Sequence, residues 1–138
     1  MVTIHVSYGG ELRCTATHTP STATLQTDAP KDNQGRGETF SPTDLVATAL
    51  ATCAMTIMGI AARREGFSID GSSCHIEKHM TADPPRRIGS LPLHFKINAD
   101  LDATQRKALE DAARSCPVTL SIHPEIDAPV TFSYPDPS

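Results

Sequence analysis

Four cysteines, Cys14, Cys53, Cys74 and Cys116, are the residues of this chain best suited to covalent chemistry. None belongs to a CxxC pair, so neither a sequence-local zinc ribbon nor a thioredoxin-type motif is present. Cys14 and Cys74 fall at inward positions of strand-like segments, where a buried, inert thiol is the usual outcome. Cys53 and Cys116 each fall on the inner face of a predicted helix, and Cys116-Pro117 marks a helix junction. On residue type alone both read as small core residues, the alternative being reactive thiols.

The element that must position Cys53 is Ser41 to Gly66, SPTDLVATALATCAMTIMGIAARREG. Ser41 reads as N-cap, Pro42 suits the first helical position, and Asp44 can answer the cap reciprocally while its charge suits the helix N-terminus. No charge interrupts Leu45 to Ala62; Arg63, Arg64 and Gly66 then supply the stop. Val46, Ala49, Leu50, Cys53, Ile57 and Ile60 form an apolar stripe at helical spacing, and Thr48, Thr52, Thr56 and Gly59 a stripe of small residues. The run meets the crude length test for a membrane span. Its Ala and Thr content and its polar, strand-like flanks predict a buried central helix instead.

Strand signals surround that helix. Val2, Ile4, Val6 and Tyr8 alternate with polar residues as a half-buried strand, Gly9-Gly10 turns the chain, and Leu12, Cys14 and Ala16 continue it. Thr22 to Thr27 reads as a third strand, and residues 29–40 as a polar, Gly-bearing loop. Ser73–Thr81 and Leu91–Asn98 form a predicted hairpin around DPPRR. Asp102 and Gln105 open a second helix whose inner face carries Leu109, Ala112 and Cys116, with a short third helix able to start at Pro117. Val130, Phe132 and Tyr134 supply a last strand before a tail expected to fray. The order implies an α+β fold with mainly antiparallel pairing.

At 138 residues the chain is expected to form one domain, residues 1–138. Its formal charge of −4 and its lack of a basic, aromatic-bearing stretch argue against a nucleic-acid partner. MVTIHVSY lacks the basic start and apolar core of a signal peptide, so a cytoplasmic protein with reduced thiols is expected. So short a chain has little material to surround so apolar a helix, and a homodimer with an apolar interface follows as an expectation. His75, Glu77 and His79 share one strand face and could ligate a metal, but a solvated sheet face is the reading preferred. His123 reads as a loop histidine, and Arg63-Arg64 as a helix-end charge pair.

GETFSPTDLVATALATC, followed downstream by ALEDAARSCPVTLSIHPEIDAPVTFSY, resembles the OsmC/Ohr family of thiol-dependent peroxidases over essentially the whole chain. The resemblance implies the OsmC-like fold: antiparallel sheets around a long central helix, in an intertwined homodimer with active sites at the subunit interface. It implies Cys53 as the peroxidatic thiolate and Cys116 as the resolving cysteine, without metal or cofactor. An external dithiol, such as a lipoylated protein, would be the reductant. The apolar wall of Val46, Leu50, Ile57 and Ile60 suits an alkyl or fatty-acid hydroperoxide better than hydrogen peroxide.

Organic hydroperoxide reductases of the family carry arginine just after the Gly-Gly and glutamate after the helix-start proline. This chain has Glu11 and Thr43 there, with its acid at Asp44, as in the OsmC-like branch that includes YhfA-type proteins. Arg13 or Arg36 could supply the cation instead, although neither matches the motif residue by residue. A non-catalytic protein binding an apolar ligand, and a redox sensor, are the alternatives to a peroxidase.

Overall fold

The structure, a computed structural model, describes residues 1–136, and the end of the tail expected to fray lies outside them. Among the described residues, eight strands and two α-helices follow the order βββαββββαβ. The chain divides into two compact units, Met1–Val46 and Ala47–Ser138.

The first unit is an antiparallel meander of β1 (Ile4–Gly10), β2 (Arg13–His18) and β3 (Thr24–Asp28). The alternation in β1 predicts a half-buried strand, yet Ile4, Val6 and Tyr8 are 59%, 58% and 65% exposed in the single chain. Period-two spacing reveals a strand with an apolar face, but not what covers it. The loop after β3 folds tightly on itself: a Cβ on Gly35 would stand 1.7 Å from the Ala29 carbonyl oxygen, which restricts that position to glycine.

Asp28, 1% exposed, anchors this loop. Its carboxylate accepts from the Glu38 N–H at 3.0 Å and pairs with the Arg13 guanidinium at 3.3 Å, and Arg13 also reaches Glu38 at 2.6 Å. The Glu38 N–H, then Arg13, hold the Asp28 carboxyl below its ordinary range against the opposing effect of burial. A depressed folded-state pKa stabilises the fold above the ordinary carboxylate value, and that contribution disappears as pH falls through the lowered value. The urea midpoint should therefore fall from about pH 7 to about pH 3, and fall less steeply in Asp28→Asn. Equal slopes in the two proteins would show that Asp28 is not an acid-sensitive anchor.

Helix α1 (Pro42–Glu65) begins and ends where the sequence predicts. The Asp44 N–H donates to Ser41 Oγ at 3.1 Å, and the Ser41 N–H to Asp44 Oδ2 at 2.9 Å, a complete capping box. At the other end Phe67 N–H donates to the Ala62 carbonyl and Gly66 N–H to that of Arg63, with Gly66 at φ 82° in the left-handed region. The buried face differs from the predicted stripe. Ala47, Leu50, Ala51, Ala54, Met58 and Ala62 are buried, whereas Ala49 and Ile60 are exposed and Val46, Cys53 and Ile57 half-buried. The packed side lies about a quarter turn from the stripe of larger side chains, because alanines permit the closest approach of the helix to its neighbours.

In the second unit, β4 (Ser73–Ile76), β7 (Leu93–Lys96) and β8 (Val130–Ser133) form one sheet, antiparallel between β4 and β7 and parallel between β7 and β8. The predicted hairpin is present, with β5 (His79–Met80) paired to β6 (Ile88–Ser90) at its outer end. Leu91, Leu93, Phe95 and Ile97 are all buried, and Phe95 stacks on Phe132 with ring centroids 5.4 Å apart. Helix α2 (Ala103–Arg114) has the predicted capping box between Asp102 and Gln105 and buries Leu109 and Ala113, Ala112 being only half-buried.

The predicted helical setting of Cys116 is corrected. α2 closes at Ser115, and Cys116 opens a tight turn in which Leu120 N–H donates to the Cys116 carbonyl at 3.2 Å. The residue before a proline is driven out of the α region, so Cys116-Pro117 ends the helix early, and residues 117–121 form turns rather than a third helix.

Candidate active site

α1 and the turn after α2 bring two of the four cysteines together. The Cys53 and Cys116 thiols each perturb the ionisation of the other, and the Val118 N–H favours the charged form of both. All four cysteines are free. Cys116 is fully buried while Cys53 is half-buried, so any electrophile arriving from solvent meets Cys53 first.

The two sulfurs have opposite electrostatic settings. Burial pushes the Cys53 thiol up, and the hydrogen bond and charge of Cys116 push it further, outweighing the Val118 N–H. At Cys116 burial acts in the same direction but is overcome by donors: Thr119 Oγ1 lies 3.2 Å from the sulfur and the Thr119 N–H 3.5 Å, with the Cys53 thiol and Val118 N–H adding to them. The Cys116 thiol is therefore held below the ordinary cysteine value.

Beside Thr119 lies a cavity of about 80 Å³ walled by Leu50, Ala54, Leu93, Phe95 and Ala113. Of the residues expected to wall the Cys53 pocket, only Leu50 lines it. Ile57 and Ile60 instead line a separate cleft of about 350 Å³ with Ala61, Ala108 and Ala112, and Val46 lines neither. The rotation of the buried face accounts for this separation, since Leu50 alone belongs to both the predicted stripe and the packed side.

Both candidate cations are held by carboxylates of the first unit. Arg13 is bound by Asp28 and Glu38, and Arg36 lies 3.5 Å from Glu11. Asp44 is engaged in the helix cap. Cys14 and Cys74 are half-buried in their strands, and burial raises the Cys74 thiol. His75 and His79 both face Glu77, at 3.6 and 2.9 Å, on the exposed side of the sheet. No cluster of three or more metal-binding side chains able to hold an ion occurs among the described residues. Thr119 is the site residue that sequence reasoning missed. Its position three residues after Cys116, past the helix-ending Cys-Pro step, was the available signal.

A mixed α+β fold with a long central helix and a cysteine pair between two helix-associated segments defines the class, and comparison defines the family. The OsmC-like protein family model matches residues 35–130, and the chain belongs to that family. It is 45% identical to a suggested osmotic-stress-induced and detoxification-response protein of Psychrobacter arcticus, with TM-score 0.91 and 96% of each chain covered. An organic hydroperoxide resistance protein OsmC of Legionella pneumophila superposes with TM-score 0.77 at 22% identity, covering 96% of each chain. OhrB of Bacillus subtilis, an organic hydroperoxide resistance protein, gives 0.71 at 20% identity, covering 96% of this chain and 98% of its own. These last two likenesses speak for the fold alone. No curated protein matches the chain. Membership of the family suggests a peroxide-related redox role.

Proposed function

We propose that this protein is a two-cysteine, thiol-dependent peroxidase for organic hydroperoxides of the alkyl or fatty-acid class. Cys53 is oxidised to a sulfenic acid and Cys116 condenses with it to a disulfide, which an external dithiol, such as a lipoylated protein, then reduces. The observation that carries the reading is a pair of free, mutually interacting thiols, one half-buried and one fully buried. The apolar residues Leu50, Ala54, Leu93 and Phe95 around the cavity beside Thr119 support a hydrocarbon-bearing peroxide over hydrogen peroxide.

The working form is a cytoplasmic homodimer. Only 28% of the most apolar window of α1 is buried within the single chain, although the helix is long and apolar enough to cross a membrane by length and composition. A second copy of this chain would cover that face and the exposed residues of β1. Sedimentation at micromolar concentration tests this, and a monomer would overturn it.

The carboxylates that hold Arg13 and Arg36 favour a second reading: a redox sensor using the same disulfide, or a protein binding an apolar ligand without turnover. Turnover of cumene hydroperoxide with dihydrolipoamide separates the peroxidase from both alternatives. Because the Cys53 thiol is raised, that turnover is expected to be slow near neutral pH and to increase as pH rises and the thiols ionise. A profile that falls from about pH 7 to about pH 9 would contradict thiolate attack by this pair.

A further inference from the structure

From the lining of the cavity beside Thr119, we infer that Arg114 is a specificity residue that receives the carboxylate of a short-chain hydroperoxy acid, whose apolar segment fills that cavity. The inference rests on the peroxidase reading and narrows it to one substrate class, a hydroperoxide with an anionic group a few carbons from the peroxide.

The cavity adjoins both cysteine-bearing segments. Leu50 and Ala54 line it and stand three residues before Cys53 and one residue after it on α1. Thr119, also in the lining, has its Oγ1 3.2 Å from Cys116 Sγ. Seven of the nine lining residues are apolar, and Arg114 is the charged one. The volume of about 80 Å³ has room for three carbon-sized groups, each the size of a water molecule at ~30 Å³. It can therefore take a short aliphatic segment but not the whole of a long acyl chain.

Arg114 is placed to receive an anion there. It closes α2, is exposed, and its guanidinium rests over the Phe132 ring 5.4 Å from the centroid. That contact engages the π face of the guanidinium and leaves its N–H donors to other partners. Among the described residues no carboxylate pairs with Arg114, whereas Arg13, Arg36 and Arg87 are each held by one. An arginine fork matches a planar carboxylate through two parallel N–H···O bonds. The influences on the Cys53 thiol are burial, Val118 and Cys116, so the Arg114 charge bears on the substrate rather than on the attacking sulfur. An apolar cavity alone would take any small alkyl peroxide, and the unpaired cation at its edge selects the acid.

The test uses the full chain and two peroxides that differ in the charge of one group, 4-hydroperoxy-4-methylpentanoate and its methyl ester, with dihydrolipoamide as reductant. The acid is expected to show a kcat/KM about fivefold above that of the ester, the scale of one exposed ion pair, and the preference should shrink as salt is raised. In Arg114→Gln this ratio should fall to about one, through KM rather than kcat, and Arg114→Lys, which keeps the charge, should recover part of it. A general loss of folded protein would leave the ratio in place. A second readout needs no turnover: 4-hydroxy-4-methylpentanoate, the alcohol the reaction would release, should shift the ¹³C-methyl signals of Ala54 and Ala113, with about fivefold more required in Arg114→Gln. An acid-to-ester ratio near one in the wild type, or a ratio unmoved in Arg114→Gln, would overturn the inference while the peroxidase reading stands. If the alcohol binds and responds to Arg114→Gln but neither peroxide is turned over, carboxylate recognition by Arg114 stands and the peroxidase reading fails. Neither binding nor turnover would overturn both.

Discussion

Cys53→Ser is expected to reduce hydroperoxide turnover below about one-thousandth of the wild-type rate, because a serine hydroxyl is not ionised near neutral pH and forms no sulfenic acid. Cys53 is the outer member of the pair, half-buried where Cys116 is fully buried, so no other sulfur can replace it at the point of peroxide arrival. Cys116→Ser should behave differently. It leaves a sulfur able to be oxidised once but removes the partner for disulfide formation, so a single-turnover oxidation should survive while dithiol-driven recycling collapses. Mass spectrometry after mild peroxide treatment should locate the disulfide between Cys53 and Cys116, with Cys14 and Cys74 remaining reduced in their strands. Undiminished turnover in Cys53→Ser would eliminate the mechanism.

The contrast between what the sequence reveals and what it conceals follows from the range of the interactions involved. Capping at Ser41–Asp44 and Asp102–Gln105 and the Gly66 stop are local, each closed within a few residues, and all three are present as the residue types imply. The α+β order and the hairpin carrying Leu91, Leu93, Phe95 and Ile97 are equally legible, since alternation reports a strand directly. The packed side of α1 is not legible, because large side chains attract attention where alanines make the contact. Nor is the parallel pairing of β7 with β8, which depends on a long connection rather than on any turn. The cysteine pairing rests on family resemblance. The contacts of Thr119 with Cys116 become visible only once the Cys116-Pro117 step ends the helix and turns the chain back on the sulfur.

Phe95→Ala is expected to cost about 3–5 kcal/mol of stability, the largest loss of any single truncation in the sheet. Phe95 lies on β7, the central strand between β4 and β8, with no solvent exposure, and its ring stacks on Phe132 at an interplanar angle of 20°. Removing the ring loses its transfer free energy and leaves a void. That void adjoins the existing cavity of about 80 Å³, which Phe95 itself helps to wall with Leu50 and Thr119. A strand held on both sides by backbone hydrogen bonds cannot move inward to fill the space, so the cavity contribution should persist. Against a typical total of about 5–15 kcal/mol such a loss places the variant near the threshold of folding. Phe95→Leu, which keeps much of the volume, should lose roughly half as much. Urea unfolding followed by circular dichroism measures both, with the slope expected to stay constant while the midpoint moves. The enlarged cavity should also loosen the wall beside Thr119, so Cys116, buried in the native protein, should become alkylated faster in Phe95→Ala. A stability loss below about 1 kcal/mol would mean that Phe95 does not occupy the core that positions the thiol pair.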